Sequence, residues 1–431
     1  MVVVSNRGPL SGSGGLVGAL APAIASLDAI WVAAAISDAD READDPNLRL
    51  LTIDPTAYRA YYDVVSNATL WYLHHGLFDA VRRPLFDRRW REAWDRYREV
   101  NQQFAEAVCD VAPDGAFVLV HDYHLSLLGP YLAKHRPDVR TVHFHHTPFA
   151  DGREVRTLPE DVAGELLSGL AAFGACGFHV PRWVEAFSDA CEAVLGSVPR
   201  TFASPAVPSL DAVRAVASSD SAERAATHLR ERAGDRVLIV RNDRMELSKN
   251  VLRGFQAYDE LLATRPEWRE RVVFVAYVYP SRQTLPDYLA YRAECEQLAA
   301  RVNERWGTEA WTPILLSTED DLTGAMAALR LADVLLVNPV RDGLNFVAKE
   351  GVSVNERDCV LVLSREAGAW DELGQWALEV NPFDVGGTAD ALHRALSMDG
   401  DERRERASGL RRAATARTAH DWFGDQAAAA G

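Results

Sequence analysis

The sequence predicts an α/β protein with two doubly wound domains. Short runs rich in Val, Ile and Leu alternate with amphipathic helical stretches along the whole chain, and this alternation is typical of parallel sheets covered on both faces. The 431 residues fit two or three domains at roughly 100–200 residues each. Because ligands of such sheets bind beyond the carboxyl ends of the strands, the residues that follow each strand are the candidates for function.

Eight strands and two long helices follow from the apolar pattern. Each strand candidate is a short apolar run bounded by polar or turn residues, and each helix candidate repeats apolar residues every three or four positions. The predicted strands are 2–5, 29–34, 117–120, 141–145, 237–240, 272–278, 334–337 and 360–363, and the predicted helices are 90–110 and 286–306.

A polar, alanine-rich stretch at 217–235 separates two such series of strands and helices. We therefore expect an N-terminal Rossmann-like domain at 1–220 and a C-terminal Rossmann-like domain at 221–414. A last helix at about 415–431 is expected to pack back on the first domain.

Charge and cysteine usage exclude several classes of protein. The 46 basic residues face 62 acidic ones, a formal net charge of −16, whereas nucleic acids and anionic membranes are bound by clustered positive charge. Five scattered cysteines without a CxxC pair indicate neither a disulfide framework nor a zinc ribbon. With no signal peptide or membrane span expected, we predict a cytoplasmic protein, with a homo-oligomer as one expected assembly.

Only three of the 46 basic residues are lysines, namely Lys134, Lys249 and Lys349. A lysine that persists among so many arginines is expected where a compact ammonium is needed and a planar guanidinium would not fit. Lys134 lies in the polar run AKHRPDVR, where survival at the surface by chance is the simpler explanation.

The first predicted strand runs into Asn6-Arg7-Gly8-Pro9 and then into a glycine-rich segment at 11–16. Glycines between a strand and a helix let backbone amides approach a phosphate closely. The segment has neither GxGxxG nor GxxxxGK[ST] spacing, so a flexible turn remains the alternative.

Five of the twelve histidines fall within 26 residues at two strand ends: His121, His124, His143, His145 and His146. A metal site is one interpretation, but HExxH is absent and strand alternation sends His143 and His145 to one face. We expect His121, His143 and His145 to be buried and hydrogen-bonded. Asp122 and His146 are better placed to meet a polar ligand.

Two segments of the second half carry the remaining candidates. Arg244 and Lys249 follow the strand 237–240 and together could neutralise a diphosphate, although a solvated loop paired with Asp243 and Glu246 is the alternative. After the strand 334–337, the segment NPVRDGLNFVAKE predicts a helix that starts near Leu344 and offers free backbone N–H groups to an anion.

The same segment supplies two carboxylates. Asp342 can accept hydrogen bonds from sugar hydroxyls, and Glu350, nearly two turns beyond Leu344, suits a bidentate grip on vicinal ribose hydroxyls. Two of the three lysines, Lys249 and Lys349, fall in these two polar segments, which favours function over accident.

These segments, in this order, resemble the retaining trehalose-6-phosphate synthases, glycosyltransferases of the GT-B architecture with two facing Rossmann-like domains and the active site in the cleft between them. The resemblance spans nearly the whole chain, and RDGLNFVAKE together with the RxxxSK element is its most specific part. Its motifs are SNRGP…GGL at 5–16, YYDVVSNATLW at 61–71, HDYHL at 121–125, FHHTPF at 144–149, DRMELSKN at 243–250, PSR at 280–282, NPVRDGLNFVAKE at 338–350, LSREAGA at 363–369 and NPFD at 381–384.

The resemblance implies two substrate sites. The implied donor-binding residues are Gly15, Arg244 and Lys249 at the diphosphate, Asp342 and His146 at the glucose, Gly343, Leu344, Asn345 and Val347 in the phosphate cradle and Glu350 at the ribose. The implied acceptor-binding residues are Arg7, Tyr62, Trp71, Arg282 and Asp122. Of these residues, the resemblance gives catalytic roles to Asp122, His146, Arg244, Lys249 and Asp342.

The implied reaction moves glucose from GDP-glucose or UDP-glucose to the anomeric hydroxyl of glucose 6-phosphate with retention of configuration. It proceeds by front-face substitution and needs neither a cofactor nor a metal. Against the family pattern, Asn250 replaces a glycine, Leu247 replaces an aromatic residue and the segment between Arg7 and Gly14 is shorter.

Three other functions compete with this assignment. A pseudo-glycosyltransferase of the same fold would join a nucleotide-linked cyclitol to an aminocyclitol phosphate, although Asp342, Asn345, Tyr62 and Trp71 favour sugar substrates. A catalytically silent regulatory subunit would be expected to lose one of the site cations or Glu350. A metal hydrolase has only the histidine cluster in its favour.

Overall fold

The computed structural model describes residues 1–10 and 29–431 and divides them into two compact units. Unit 1 comprises Met1–Ser209 and Thr418–Gly431, and unit 2 comprises Leu210–Arg417. Each unit has one sheet, of seven strands in unit 1 and six in unit 2, and every strand pair is parallel. The predicted α/β class is therefore confirmed.

In unit 1 the sheet has the order β3-β2-β1-β4-β5-β6-β7. The strand order reverses between β1 and β4, so the crevice where ligands bind sheets of this kind lies beyond the carboxyl ends of these two strands. The strands are β1 (Val2–Arg7), β2 (Ile30–Ala34), β3 (Leu48–Leu51), β4 (Phe117–His121), β5 (Arg140–His145), β6 (Ala175–Phe178) and β7 (Thr201–Ala203).

Among the described residues of unit 1, the α-helices are Asp38–Glu42, Pro55–Arg59, Trp71–His74, Arg88–Val111, Leu128–His135, Gly152–Val155, Glu160–Ala171, Pro181–Leu195 and Ala419–Ala429. A π-helix spans Ala60–Leu70, and a 3₁₀ turn spans Tyr123–Leu125. The long helix Arg88–Val111 begins where the side chain of Asp87 accepts a hydrogen bond from the Trp90 N–H, which satisfies a donor that a helix start leaves unpaired. In the last helix, Trp422 packs edge-on against Phe144 of β5.

In unit 2 the sheet has the order β10-β9-β8-β11-β12-β13, and the strand order reverses between β8 and β11. The strands are β8 (Val237–Arg244), β9 (Val272–Tyr279), β10 (Ile314–Ser317), β11 (Val334–Val337), β12 (Val360–Ser364) and β13 (Leu378–Val380). The α-helices are Leu210–Ala217, Asp220–Ala233, Val251–Thr264, Pro286–Trp306, Leu322–Leu331, Phe346–Val354, Trp370–Leu373, Val385–Leu396 and Gly400–Ala414, with 3₁₀ turns at Leu247–Lys249 and Pro266–Trp268.

All eight predicted strands are present, and the helix predicted at 286–306 is the helix Pro286–Trp306. One strand is longer than predicted, because β8 continues through Arg244 and pairs with β9 along its full length. Arg241 and Arg244 therefore belong to the strand rather than to the turn that follows it. The alanine-rich stretch at 217–235 forms the helix Asp220–Ala233 of unit 2.

The central strands are buried on both faces, as their near-continuous apolar sequences require. VLLV of β11 and VLVLS of β12 are buried throughout, and their apolar residues belong to the hydrophobic core of unit 2. Among residues 1–10 and 29–431, no helix combines the length and the hydropathy that a membrane crossing needs.

Candidate functional site

Two site residues lie at the reversal point of the unit 1 sheet, Arg7 as the last residue of β1 and Asp122 directly after β4. The Nη2 atom of Arg7 donates a hydrogen bond to the Tyr62 hydroxyl at 3.1 Å. The ring of Tyr62 stacks on that of His124 with centroids 5.6 Å apart. The structure thus joins Arg7 to Tyr62, and the stacked His124 extends the cluster towards Asp122.

Asp122 has a backbone conformation that side chains rarely adopt, with φ 71° and ψ 166°. Its Oδ1 accepts a hydrogen bond from the His146 N–H at 3.3 Å, and its Oδ2 lies 3.9 Å from Nδ1 of His124. Such strained positions cluster at functional sites. Of the six non-glycine residues with positive φ among those the structure describes, four fall in the site segments: Asp122, Asn250, Arg282 and Asn345.

Side chains of the SNAT sequence stabilise the π-helix Ala60–Leu70. Each of three side chains donates to the carbonyl five residues earlier: Ser66 to Tyr61, Asn67 to Tyr62 and Thr69 to Val64. This spacing is that of the π-helical backbone bond itself, and π-helical turns are frequent at functional sites. The Oδ1 of Asn67 also accepts a hydrogen bond from the Tyr123 hydroxyl at 3.0 Å, so Asn67 ties the Tyr62 backbone to the turn after Asp122.

Trp71 occupies a different environment from Tyr62. Its indole is buried and stacks on His75 with centroids 4.1 Å apart. Trp71 begins the short helix that continues from the π-helix.

The histidine prediction is confirmed for the three expected to be buried. His121 bonds His146 at 3.0 Å, His143 bonds the Asp122 carbonyl at 3.1 Å and His145 bonds the Thr147 hydroxyl at 2.8 Å. Burial lowers the pKa of His121 to about 3 and that of His143 to about 4, so both rings are neutral near pH 7.

His146 differs from these three histidines in its exposure, because its side chain is only half-buried. Burial places its pKa well below the ordinary value, and its buried Nδ1 has no hydrogen-bond partner among residues 1–10 and 29–431. A buried polar atom without a partner is unusual in a folded protein. Within the described residues, no three His, Cys, Asp or Glu side chains are grouped so that they could hold a metal ion.

At the reversal point of the unit 2 sheet, the two predicted cations each contact a carboxylate. The Nζ of Lys249 lies 2.6 Å from Asp342 Oδ2, with side chains that are only 13% and 14% exposed. Arg244 Nη1 lies 3.0 Å from Oε1 of the buried Glu246. The ion pair with Glu246 that the alternative expected is therefore present, but Asp243 and Glu246 are buried rather than solvated.

Lys249 stays charged in this environment. Burial alone would lower its pKa, but the nearby carboxylates of Asp342 and Asp243 outweigh burial and the repulsion of Arg244, so its pKa is raised. The result is a fixed ammonium near a guanidinium, a charge pattern suited to a diphosphate.

Asn250 explains the departure from glycine at this position. Its backbone is left-handed, with φ 60° and ψ 40°, a conformation that glycine adopts freely and asparagine tolerates better than most residues. Its Nδ2 donates to the carbonyls of Asn338 and Pro382 at 2.9 and 2.7 Å. The asparagine therefore links the turn after β8 to the segment after β11, which a glycine could not do.

The helix predicted to start near Leu344 begins instead at Phe346. The reason is Asn345, whose φ of 82° is not helical and whose Oδ1 accepts the Ala348 N–H at 3.1 Å. The Ala348 N–H is therefore paired within the protein and is not among the free N–H groups expected for an anion. Asn345 Nδ2 also donates to Asp342 Oδ2 at 3.0 Å, so one side chain caps the helix and holds the carboxylate that pairs with Lys249.

The segment 363–369 holds the turn that precedes this helix. Asp342 N–H bonds the Glu366 carbonyl at 3.2 Å, Gly368 N–H bonds the Asp342 carbonyl at 3.1 Å and Ala369 N–H bonds the Leu344 carbonyl at 2.6 Å. A Cβ on Gly368 would collide with the carbonyl oxygen of Gly343. The glycine thus permits the close approach of two backbones that fixes Gly343 and Leu344.

Glu350 is half-buried on the helix Phe346–Val354, close to Val347 in sequence. Burial raises its pKa to about 7, and no donor in the described part of the chain bonds its carboxylate. A partly desolvated carboxylate without a partner is well suited to accept bonds from a diol. Lys349 serves the structure instead, because its buried Nζ contacts both oxygens of Glu372 at 2.9 and 2.7 Å.

Arg282 belongs to unit 2, whereas the other predicted acceptor residues belong to unit 1. Its Nη1 lies 2.6 Å from Glu246 Oε1 and 2.9 Å from the Tyr288 hydroxyl. One oxygen of Glu246 therefore contacts both Arg244 and Arg282. Gly15 lies outside the residues that the structure describes.

Four residues that hold the site together received no site role from the sequence: Asn67, His124, Arg241 and Glu246. Arg241 and Glu246 lie within a segment that the sequence singled out, but burial and pairing distinguish them only in three dimensions. The SNAT run was visible in the sequence, yet its spacing of five residues between donor and acceptor becomes informative only once the π-helix is known.

Comparison with known proteins identifies relatives across the chain. The profile described as Glycosyltransferase family 20 matches residues 32–430. The chain is 34% identical to the bifunctional trehalose-6-phosphate synthase/phosphatase of Thermoproteus tenax, over 93% of this chain but 59% of that protein. It is 33% identical to a trehalose-6-phosphate synthase of Mycobacterium sp. strain JLS, over 98% of this chain and 94% of that one.

Solved structures of similar fold cover all of this chain. An α,α-trehalose-phosphate synthase (UDP-forming) from Burkholderia vietnamiensis has a TM-score of 0.89 at 31% identity over 99% of its chain. An E. coli protein bound with UDP-2-fluoro glucose has a TM-score of 0.89 at 28% identity over 98% of its chain. A Burkholderia xenovorans synthase in complex with glucose-6-phosphate has a TM-score of 0.89 at 28% identity over 99% of its chain.

Proposed function

Because the chain belongs to glycosyltransferase family 20, we propose that it is an α,α-trehalose-phosphate synthase. It transfers glucose from a nucleoside diphosphate glucose to the anomeric hydroxyl of glucose 6-phosphate and retains the configuration of the transferred carbon. The observation that carries this proposal is the placement of Lys249 and Arg244 at the reversal point of the unit 2 sheet, each held against a carboxylate.

The donor half of the reaction belongs to unit 2. Lys249 and Arg244 take up the charge that grows on the diphosphate as the glucosyl bond breaks, and Glu350 accepts hydrogen bonds from the ribose. A preorganised charge at a leaving group is usually the largest single contribution to catalysis. Asp342, fixed by Lys249 and Asn345, faces the glucose hydroxyls, and the turn Gly343-Leu344 with the Val347 N–H completes the phosphate cradle.

The acceptor half draws mainly on unit 1. Arg7 binds the phosphate of glucose 6-phosphate, with Tyr62 holding the guanidinium through its hydroxyl, and Trp71 and Arg282 act as further acceptor residues. Asp122 bonds the sugar hydroxyls. His146 has a neutral ring, and no described residue bonds its Nδ1; it bonds the donor glucose.

The chemical step is a front-face substitution. The bond between the anomeric carbon and the diphosphate oxygen breaks, the bond to the acceptor oxygen forms on the same face, and the departing phosphate oxygen takes the acceptor proton. The protein therefore contributes positioning and charge stabilisation rather than a covalent nucleophile. Lys249 and Arg244 supply the positive charge for the leaving group, so the reaction needs no metal.

UDP-glucose is the donor that the similar structures favour, because they are a UDP-forming enzyme and a complex with a UDP-sugar. GDP-glucose is the second donor to be tested.

All five cysteines are free in the structure, which is consistent with a reducing compartment, and we place the protein in the cytoplasm.

One experiment tests the proposal. The protein is incubated with glucose 6-phosphate and either UDP-glucose or GDP-glucose, in EDTA, and free nucleotide and disaccharide phosphate are measured together. We expect one molecule of each product per turnover with at least one donor. Nucleotide release without disaccharide phosphate indicates a hydrolase, and no product with either donor contradicts the assignment.

A further inference from the structure

Arg241 is a fully buried arginine next to the proposed diphosphate-binding residues. It lies in β8 and none of its side chain is exposed. Its Nε and Nη2 contact Asp243 Oδ2 at 3.2 and 2.8 Å, and Nη2 also donates to the carbonyl of Lys249 at 2.8 Å. One guanidinium therefore ties the end of the strand to the 3₁₀ turn that presents Lys249.

The space for this guanidinium depends on a glycine in the neighbouring helix. Gly254 lies within the helix Val251–Thr264, where glycine is normally unfavourable. A Cβ at this position would lie 2.5 Å from Arg241 Nη1. The guanidinium of Arg241 therefore occupies space that a side chain at position 254 would need, and any larger residue there must displace the guanidinium.

The charge of Arg241 also matters for Lys249. Asp243 is buried and attracts both cations. Because Arg241 pairs with Asp243, the Lys249 ammonium is free of that carboxylate and pairs with Asp342 at 2.6 Å. Without Arg241, the buried carboxylate of Asp243 would compete for that ammonium, because a buried carboxylate needs a charged or hydrogen-bonding partner.

We propose that Arg241 is the positioning residue for Lys249 and that Gly254, which has no side chain, leaves the room that the Arg241 guanidinium needs. This inference rests on the proposed function, in which Lys249 binds the donor diphosphate. The pair acts on the presentation of the ammonium rather than on the substrate itself.

A double-mutant cycle tests the pair. Gly254→Ala should raise the KM for the nucleotide sugar or lower kcat by at least tenfold, because the methyl group displaces the guanidinium. In the Arg241→Lys background, where Nη1 is absent, the same substitution should change either constant by less than threefold. Gly164→Ala is the matched control, because Gly164 is also in a helix but its Cβ would meet nothing within 4 Å.

Chemical labelling tests the same inference without activity. The chain has three lysines, so acetylation by an activated ester followed by peptide mapping reports Lys249 separately, with the exposed Lys134 as the internal reference. Gly254→Ala should increase the labelling of Lys249 relative to Lys134 several-fold, and Gly164→Ala should not. Unchanged labelling and unchanged donor kinetics in folded Gly254→Ala overturn the proposal, as do additive effects in the cycle.

The two proposals fail in different ways. If the wild-type protein makes no disaccharide phosphate, the proposed function is wrong, whereas the labelling result still decides whether Arg241 and Gly254 position Lys249. If the wild-type protein is active and Gly254→Ala behaves like Gly164→Ala, only the positioning role is wrong.

Discussion

Replacing Lys249 by methionine removes the ammonium while keeping a side chain of similar length, and it tests the proposed role of this lysine in the leaving group's stabilisation. Loss of one preorganised donor typically costs about 2.7–4 kcal/mol of transition-state stabilisation, or roughly 10²–10³ in kcat. The structure supports the full effect, because Lys249 is mostly buried and fixed 2.6 Å from Asp342. We therefore expect kcat to fall by about 10²–10³.

The same substitution also affects folding. Breaking a fully buried ion pair costs about 3–5 kcal/mol, and because Lys249 and Asp342 keep 13% and 14% exposure, we expect a loss of about 2–3 kcal/mol. Lys249→Arg keeps the charge but places a planar group where a compact one fits, so kcat should still fall about tenfold, or ~1.4 kcal/mol.

The assay is initial-rate nucleotide release at saturating donor and acceptor, with urea unfolding to confirm that each variant is folded at the assay temperature. Lys134→Met, at an exposed position, is the control and should match the wild type in both measurements. A folded Lys249→Met protein with near-normal kcat would refute the role of this ammonium.

Three further predictions concern other parts of the site. Burial raises the pKa of Glu350 to about 7, so the ionised form is present mainly above that pH and the donor KM should fall about tenfold from pH 6 to pH 8. If Glu350→Gln shows the same pH dependence of the donor KM, this role of Glu350 is contradicted. Tyr62→Phe removes the hydroxyl that holds Arg7, and a hydrogen bond to a charged group contributes about 1.5–3 kcal/mol, so the KM for glucose 6-phosphate should rise at least tenfold while the donor KM changes little. An equal change in both KM values would argue against an acceptor role for Tyr62. Asn250→Gly relaxes the backbone but removes two buried hydrogen bonds, so urea unfolding should show a net loss of about 1 kcal/mol. A more stable variant would show that the two bonds contribute less than the backbone relaxation gains.

The fold class and all but one of the central strands could be predicted from sequence, whereas the four edge strands could not. Four of the five unpredicted strands, β3, β7, β10 and β13, lie at the edges of the two sheets. Edge strands are short and partly exposed, so they lack the continuous apolar runs that identify β1, β4, β8, β11 and β12. The fifth, β6, has the sequence ACGF, and its Gly177 is required because a Cβ would collide with Phe144 and Phe202.

The site was predictable where its chemistry lies in one segment and not where it depends on packing. Lys249 and Asp342 stand out as polar residues after strands, but their ion pair joins segments 93 positions apart. The sequence predicts a helix start near Leu344, whereas the helix starts at Phe346. The difference arises because the capping role of Asn345 depends on a backbone conformation that the sequence does not reveal. Glu246 and Arg241 acquire significance only through burial and shared partners.

The stereochemistry of the product tests the central claim most directly. A nucleotide glucose labelled with ¹³C at the anomeric carbon is incubated with glucose 6-phosphate, and the new linkage is observed by NMR as it forms. The account predicts an α-configured label joined to the anomeric oxygen of the acceptor, equal in amount to the nucleotide released. A β-configured linkage, or label appearing only as free glucose, would contradict retaining transfer to glucose 6-phosphate.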